Sequence, residues 1–359
     1  MNNINNKYNP WFSHIYIEKS VIENERTKRI IGKLPKARII VIDNYMDVYG
    51  RYGQNQRKQS ISPALILAER KAEYLYKGAP VCQSFGNENF YYTSGMIGCL
   101  YDCEYCYLKG KYHSGNIVIF VNLEDTFREV EKLLEKNSLY LCVSYDTDLM
   151  AIESITGFVN DWINFVDYIN RNRKHDLQIE IRTKCGRTDL WKNWTPNDKV
   201  IFAYTISPQN VIEKYEHRTA SLSKRIQAAK QAIEKGFSVR LCFDPMIYVK
   251  DWQKEYDLMW KKIVEEIEIQ KIRDFSIGSF RISSEYMKTM RQVMHDSAVV
   301  QFPFINRDGV YQYPEDIRQE MEKFMVNRIL ESIDKDKIFL WKDSVKNMKS
   351  ICNSAKDAD

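Results

Sequence analysis

With 359 residues, 44% hydrophobic and 28% charged, the chain is long enough for one large core and has the composition of an ordinary globular protein. No apolar run approaches the roughly 20 residues that cross a bilayer, and the polar, Asn-rich start from Met1 to Tyr8 lacks the features of a signal peptide, so a cytoplasmic protein with no membrane partner is expected. Basic residues exceed acidic ones by five, which permits a nucleic-acid partner without requiring one, and the five histidines include no His-x3-His pair of the kind that builds a helical zinc site.

In chain order, residues 14–17 alternate as a short strand, and Ser20 with Glu23 gives a capping-box pattern for a helix running to about Gly32. Residues 38–42 form a second apolar, β-branched run. The stretch from Arg51 to Ser60 is polar and basic, read as a solvated loop or a phosphate contact. Residues 65–76 mix apolar and charged side chains, leaving strand and helix both open. A strand at 90–93 leads into a cysteine-rich loop, 116–121 is strongly β-branched, and 123–136 carries Phe127, Val130 and Leu134 at helical spacing.

Five more strand-like runs follow, at 139–144, 177–183, 199–206, 238–243 and 274–280, each with a helical pattern after it. The helix ahead of Gly236 is the clearest, with Ile226, Ala229 and Ile233 on one face and the glycine as its stop. Six strands alternating with helices predict a parallel sheet with right-handed crossovers. The expected fold is α/β, a TIM-like partial (β/α)6 barrel over residues 88–298, with an N-terminal α/β extension over 1–87. Residues 299–359 form a C-terminal segment in which Asp308-Gly309 signals a hairpin between two apolar runs. In such barrels the loops after strand C-termini carry the chemistry: the loop after Thr93, residues 142–148, Thr183 with Lys184, residues 205–207, and Asp244 with Pro245.

The most informative stretch is Gly98-Cys99-Leu100-Tyr101-Asp102-Cys103-Glu104-Tyr105-Cys106-Tyr107, with cysteines spaced C-x3-C-x2-C. Three thiolates can hold three irons of a 4Fe-4S cubane and leave the fourth iron open to a small chelating ligand. Structural zinc is the rival, with Cys82 or Cys142 as fourth ligand, but zinc loops usually pair their cysteines as C-x2-C. The eight cysteines form no even framework, which favours reduced thiols over disulfides.

The pattern C-x3-C-x-aromatic-C resembles the signature of the radical SAM superfamily, with Tyr105 at the aromatic position near the cofactor's adenine. Within that superfamily the chain is similar to the spore photoproduct lyase family. The shared elements are Tyr105-Cys106-Tyr107-Leu108, then Cys142-Val143-Ser144, then Arg182-Thr183-Lys184, and the likeness runs from about residue 15 to residue 251. It implies that Cys99, Cys103 and Cys106 hold a 4Fe-4S cluster, whose electron splits S-adenosylmethionine to a 5'-deoxyadenosyl radical. That radical would take a hydrogen from C6 of a thymine dimer in spore DNA, and the bond joining the thymines would break. Cys142 would quench the remaining thymine radical, with Cys82 as second candidate, and Tyr105 and Tyr107 would pass a hydrogen atom back toward the cofactor. Ser144, Lys184 and Thr205 would contact the cofactor, while Asp146 and Asp148 orient its amino group or cap the next helix.

The implied partners are damaged double-stranded DNA and an electron donor such as flavodoxin or ferredoxin. Cys185, Cys242 and Cys352 are expected to be packing or surface residues. The family also ends in a hairpin whose adjacent Arg and Tyr wedge into the duplex. Here the counterpart is Arg307-Asp308-Gly309, with Tyr311 and Tyr313 further on. An Asp beside phosphate is unfavourable, so either Arg307 alone keeps the wedge role or the substrate differs. Two alternatives stand beside this reading: another radical SAM enzyme with the same core, and a non-catalytic nucleic-acid-binding protein with a structural metal.

Overall fold

The alternation of apolar runs with helices builds one curled sheet. In the computed structural model, which describes residues 12–71, 73–78 and 82–341, seven strands lie side by side in parallel: Phe90–Tyr92, Leu139–Cys142, Leu177–Thr183, Val200–Thr205, Ser238–Met246, Asp274–Ser279 and Ile338–Leu340. Tyr76–Lys77 closes one edge antiparallel to Phe90–Tyr92. Successive side chains on a strand point to opposite faces. Leu141, Ile179, Ile181, Phe202, Leu241, Phe243, Phe275 and Ile277 therefore enter the main core with the helices. The alternate positions carry Tyr140, Cys142, Glu180, Arg240 and Asp274.

Those alternate positions form a buried polar ladder. Tyr140 donates to Glu180 at 2.7 Å, and the Arg240 guanidinium sits between Glu180 and Asp274, with its Nη2 2.9 Å from Asp274 Oδ2. Phe85 covers Arg240 at 3.3 Å from ring centroid to guanidinium carbon. Buried charges are tolerated when paired and hydrogen-bonded in this way. On the outer side the helix Leu222–Lys235 ends as its sequence indicates. Gly236 adopts φ 97°, and its N–H reaches the carbonyls of Ala232 and Ile233.

Several elements depart from the sequence reading. The run at 116–121 yields the strand Ile117–Phe120, but it belongs to a second, five-stranded sheet ordered Arg38–Ile42, His14–Glu18, Leu65–Ala68, Ile117–Phe120, Met96–Ile97. Ile117–Phe120 and its neighbour Leu65–Ala68 are buried throughout, and a strand covered on both faces has no alternation that would say which sheet it joins. The barrel sheet instead gains Ile338–Leu340, a strand of three residues after the helix Glu315–Leu330. Near the start, Lys19–Val21 is a 3-10 turn, and the helix Glu25–Gly32 is capped by Asn24, whose side chain accepts from Arg26 N at 2.9 Å, so the Ser20–Glu23 box is not used. The basic stretch read as loop holds the short helix Gln56–Ile61, capped by Asn55.

In the C-terminal segment the hairpin is real but shorter than the flanking apolar runs. Ile305–Arg307 pairs with Val310–Gln312 around Asp308 and Gly309, both at positive φ as tight two-residue hairpins need, and Arg281–Ser283 adds a third strand. Residues 299–304 form no strand. They supply Phe302 and Phe304, whose rings pack 4.9 and 5.0 Å from Tyr313. Among the described residues no helix is long and apolar enough to cross a membrane.

Candidate active site

The cysteine loop is pinned from both sides. Before it, Gly98 takes φ 93°, and a Cβ there would meet the Asn116 carbonyl oxygen at 2.9 Å, so only glycine fits without a shift. Within it, Asp102–Cys103 pairs antiparallel with Glu216–His217, placing Cys103 opposite Glu216. After it, the short helix Leu108–Lys111 packs against the helix Ser284–Val293, where a Cβ on Gly110 would lie 2.4 Å from the Tyr286 carbonyl oxygen.

Cys99, Cys103 and Cys106 line one cavity together with Gln56, Tyr101 and Lys109, and all three are free thiols. Among the described residues no three His, Cys, Asp or Glu side chains are gathered around a single metal ion. A cubane asks for something else, three thiols addressing separate irons, and this donor set fits it. Burial pushes each of these thiols up, Cys103 to about 12, so metal must displace their protons on binding.

Around this loop stand the residues that the sequence singled out. Lys184, at the end of Leu177–Thr183, lies with its ammonium 5.6 Å from the Tyr105 ring centroid. Burial works against its charge, but the Cys103 sulfur and the Glu216 carboxylate outweigh that and raise it. Tyr105 is buried and donates its hydroxyl hydrogen to Glu216. Tyr107 donates to the Tyr145 carbonyl, and its ring lies 6.4 Å from that of Tyr286. Ser144 is buried and its Oγ accepts from Arg182 N at 2.7 Å. Thr205 is buried at a strand end, where its carbonyl accepts from Arg225 Nη1 at 3.0 Å.

The two aspartates separate. Asp148 caps the helix Leu149–Thr156 through Ala151 N and also accepts from Thr183 Oγ1 and Lys184 N. Asp146 pairs with Lys111 at 2.8 Å and accepts from Ser94 Oγ at 2.7 Å. Cys142 closes its strand within a packed group that holds Phe85, Phe90, Tyr140 and Ile201, with Cys82, Tyr92 and Tyr145 against it. Burial, with help from Glu180 and against Arg182, pushes its thiol up to about 12.

A family model described as spore photoproduct lyase matches residues 86–339. The chain belongs to the spore photoproduct lyase family. It is 26% identical over 247 residues to a spore photoproduct lyase of Clostridium acetobutylicum, covering 65% of this chain and 71% of that one. To the spore photoproduct lyase of Bacillus subtilis it is 21% identical over 258 residues, 69% of this chain and 72% of the other. Among solved structures, a spore photoproduct lyase double mutant with bound AdoMet and dinucleoside spore photoproduct superposes with a TM-score of 0.78 at 18% identity, over 92% of this chain and 99% of that one. The family's radical SAM half-barrel is the fold described above.

Against this family background the C-terminal residues separate clearly. Arg307 is about half exposed and ion-paired with Glu315 at 2.6 Å. Tyr311 is half-buried with the Arg291 guanidinium 5.1 Å from its ring centroid, whereas Tyr313 is buried and its hydroxyl accepts from Tyr248 N. Cys185 and Cys242 are buried core residues, and Cys352 lies outside the described residues.

Sequence reasoning missed Glu216, Arg225 and Tyr145. Glu216 and Arg225 form a fully buried ion pair, and Ser207 also donates to Glu216 at 2.7 Å. Burial works to raise the Glu216 pKa, yet Arg225 and Lys184 hold the carboxyl below its usual range. Nothing in spacing connects Tyr105 to a carboxylate 111 positions away.

Proposed function

We propose that this chain, acting in the cytoplasm, repairs the spore photoproduct in damaged double-stranded DNA, restoring two thymines by radical chemistry that starts from an electron donor such as flavodoxin or ferredoxin. One observation carries the reading: Cys142 ends and Lys184 follows parallel strands of one half-barrel, at the end where such barrels do their chemistry, and the Lys184 ammonium lies 5.6 Å from the ring centroid of Tyr105 in the three-cysteine loop. Cys99, Cys103 and Cys106 would hold a 4Fe-4S cluster, which when bound with S-adenosylmethionine supplies one-electron cleavage of a sulfonium and hence hydrogen abstraction from an unactivated C–H bond.

The chain's own residues do the rest. Lys184 offers a buried cation to a carboxylate, and the Tyr105 ring beneath it offers a flat apolar face. Cys142 keeps its S–H at neutral pH and so can give a hydrogen atom to a carbon radical. The reading is tested by an anaerobic assay of the reconstituted chain with S-adenosylmethionine and a synthetic dinucleoside lesion. Deoxyadenosine and thymine are the expected products. Metal held by four protein side chains, or neither product under reducing conditions, overturns it.

Arg307 is assigned to the DNA duplex. It projects beside the hairpin turn and its ion pair with Glu315 is exposed, so exchanging that carboxylate for a phosphate costs little. Arg307→Ala is expected to weaken binding of lesion-bearing duplex severalfold while leaving binding of the free dinucleoside nearly unchanged, as titrations at fixed salt would show. Equal losses on both ligands would argue against a wedge.

A further inference from the structure

One short helix separates the three-cysteine cavity from solvent. Gln56 and Ser60, a turn apart on the helix Gln56–Ile61, line that cavity together with Cys99, Cys103 and Cys106. The helix is clamped to the segment after the cysteine loop. Gln56 Nε2 donates to the Tyr112 carbonyl at 2.6 Å, Gly115 N donates to Gln59 Oε1 at 3.0 Å, and a Cβ on Gly115 would lie 2.4 Å from the Gln56 carbonyl oxygen. Arg57, Lys58 and Ile61 on the same helix are exposed, so the cover over the cavity is one helix thick, about 10 Å.

This cover has an uncompensated positive charge. No carboxylate occurs between Asp47 and Glu69, nor between Glu104 and Glu124, and these are the two segments that meet over the cavity. The carboxylates at the margin are engaged: Asp296 pairs with Arg57 at 2.9 Å, Asp102 with Lys109, and Glu104 is hydrogen-bonded to His217 and Ser297. Asp47 accepts from Asn44 N, and its backbone carbonyl accepts from Arg51 Nε. Among the described residues neither Arg51 nor Lys58 has a carboxylate partner. Beside them Tyr52 is fully exposed and Ile61 is 64% exposed.

We infer that the face formed by Arg51, Tyr52, Lys58 and Ile61 docks the reductant, a small acidic one-electron carrier protein. The inference rests on the function proposed above and names the surface that its electron donor uses. Carboxylates around the donor's redox group meet Arg51 and Lys58, while Tyr52 and Ile61 give the contact an apolar centre. One electron then crosses the helix: the donor is oxidised by one electron and the cluster is reduced by one, with no bond broken and no proton moved. The DNA hairpin lies elsewhere. It packs at the start of the helix Ser284–Val293, where Ser284 N donates to the Gly309 carbonyl, whereas Arg57 meets Asp296 beyond the end of that helix. The helix is 10 residues, about 15 Å, long, so the hairpin and the reductant do not compete for one surface.

The test uses the full-length reconstituted chain, an acidic flavodoxin and the double variant Arg51→Glu/Lys58→Glu. Both side chains are exposed, so the fold is not at stake. With flavodoxin hydroquinone as reductant, the KM for flavodoxin is expected to rise about tenfold at low salt. A binding titration that needs no turnover should show the same loss, with less salt dependence than in the unsubstituted protein. With dithionite, a small reductant that needs no docking face, deoxyadenosine formation should be unchanged, as should binding of lesion-bearing duplex. Unaltered KM and affinity for flavodoxin overturn the assignment. An equal fall with dithionite also overturns it, since the face would then only support the cavity. Weaker duplex binding with flavodoxin affinity retained overturns it too, and gives the face to DNA phosphates. If the unsubstituted protein forms no deoxyadenosine with dithionite, the proposed function falls, while the flavodoxin titration still judges the docking face.

Discussion

Cys142→Ala is expected to lower the yield of two intact thymines about tenfold or more, a loss of at least about 1.4 kcal/mol in the quenching step, while deoxyadenosine continues to form. The expectation follows from where the thiol sits. Cys142 ends its strand beside Tyr92, its backbone carbonyl accepts from Thr93 N, and it is 8% exposed, so no water-borne hydrogen donor can replace it readily. Without the S–H the thymine radical persists and is diverted to other adducts, which chromatography of the products would reveal.

The pH dependence has a definite sign. A hydrogen atom donor must keep its proton, and burial raises the Cys142 pKa to about 12, so the protonated form persists through the working range. Donation should therefore show no loss from thiol ionisation between about pH 6 and about pH 9, where an unperturbed cysteine with a pKa of about 8.5 would already be ionising. Clean repair by Cys142→Ala, with no diverted products, would remove Cys142 from the donor role and direct attention to Cys82.

The barrel was legible because its strands and helices repeat two distinct periods many times over. Leu141, Ile179, Phe202, Leu241 and Phe275 each mark an outward, helix-facing position, and the helices between them carry apolar stripes. The cysteine loop was legible because spacing alone states a ligand set. What was not legible is long-range pairing. Ile117–Phe120 looks like any buried strand, and only its partner Leu65–Ala68 assigns it to the second sheet. The helix at Gln56–Ile61 is hidden by its polarity, since Asn55 caps it and Gln56 faces inward to the carbonyls of Leu108 and Tyr112. Glu216 is hidden for a related reason: a lone acidic residue in a charged stretch reads as surface until Arg225 is brought against it.

That buried pair supports the second large effect. Arg225 donates to Glu216, to Thr219 Oγ1 and to the carbonyls of Ala220 and Thr205, with no side-chain exposure. Arg225→Met is therefore expected to destabilise the fold by about 3–5 kcal/mol, because the Glu216 carboxylate remains buried without its cation; chemical denaturation would measure it. Glu216 itself is tied to the cluster loop twice, through backbone pairing with Cys103 and through the Tyr105 hydroxyl. The double variant Arg225→Met/Glu216→Leu removes both charges and should recover much of the stability, since an apolar pair of similar volume replaces a buried ion pair at little cost. Recovery should stay incomplete by about 1–3 kcal/mol, because the hydroxyls of Tyr105 and Ser207 lose their acceptor. Cofactor affinity should not recover with it, because the Tyr105 hydroxyl loses the carboxylate that anchors the cysteine loop. Equal instability of the single and double variants would mean that Arg225 acts through its bonds to Thr205 and Ala220 and not through the Glu216 charge.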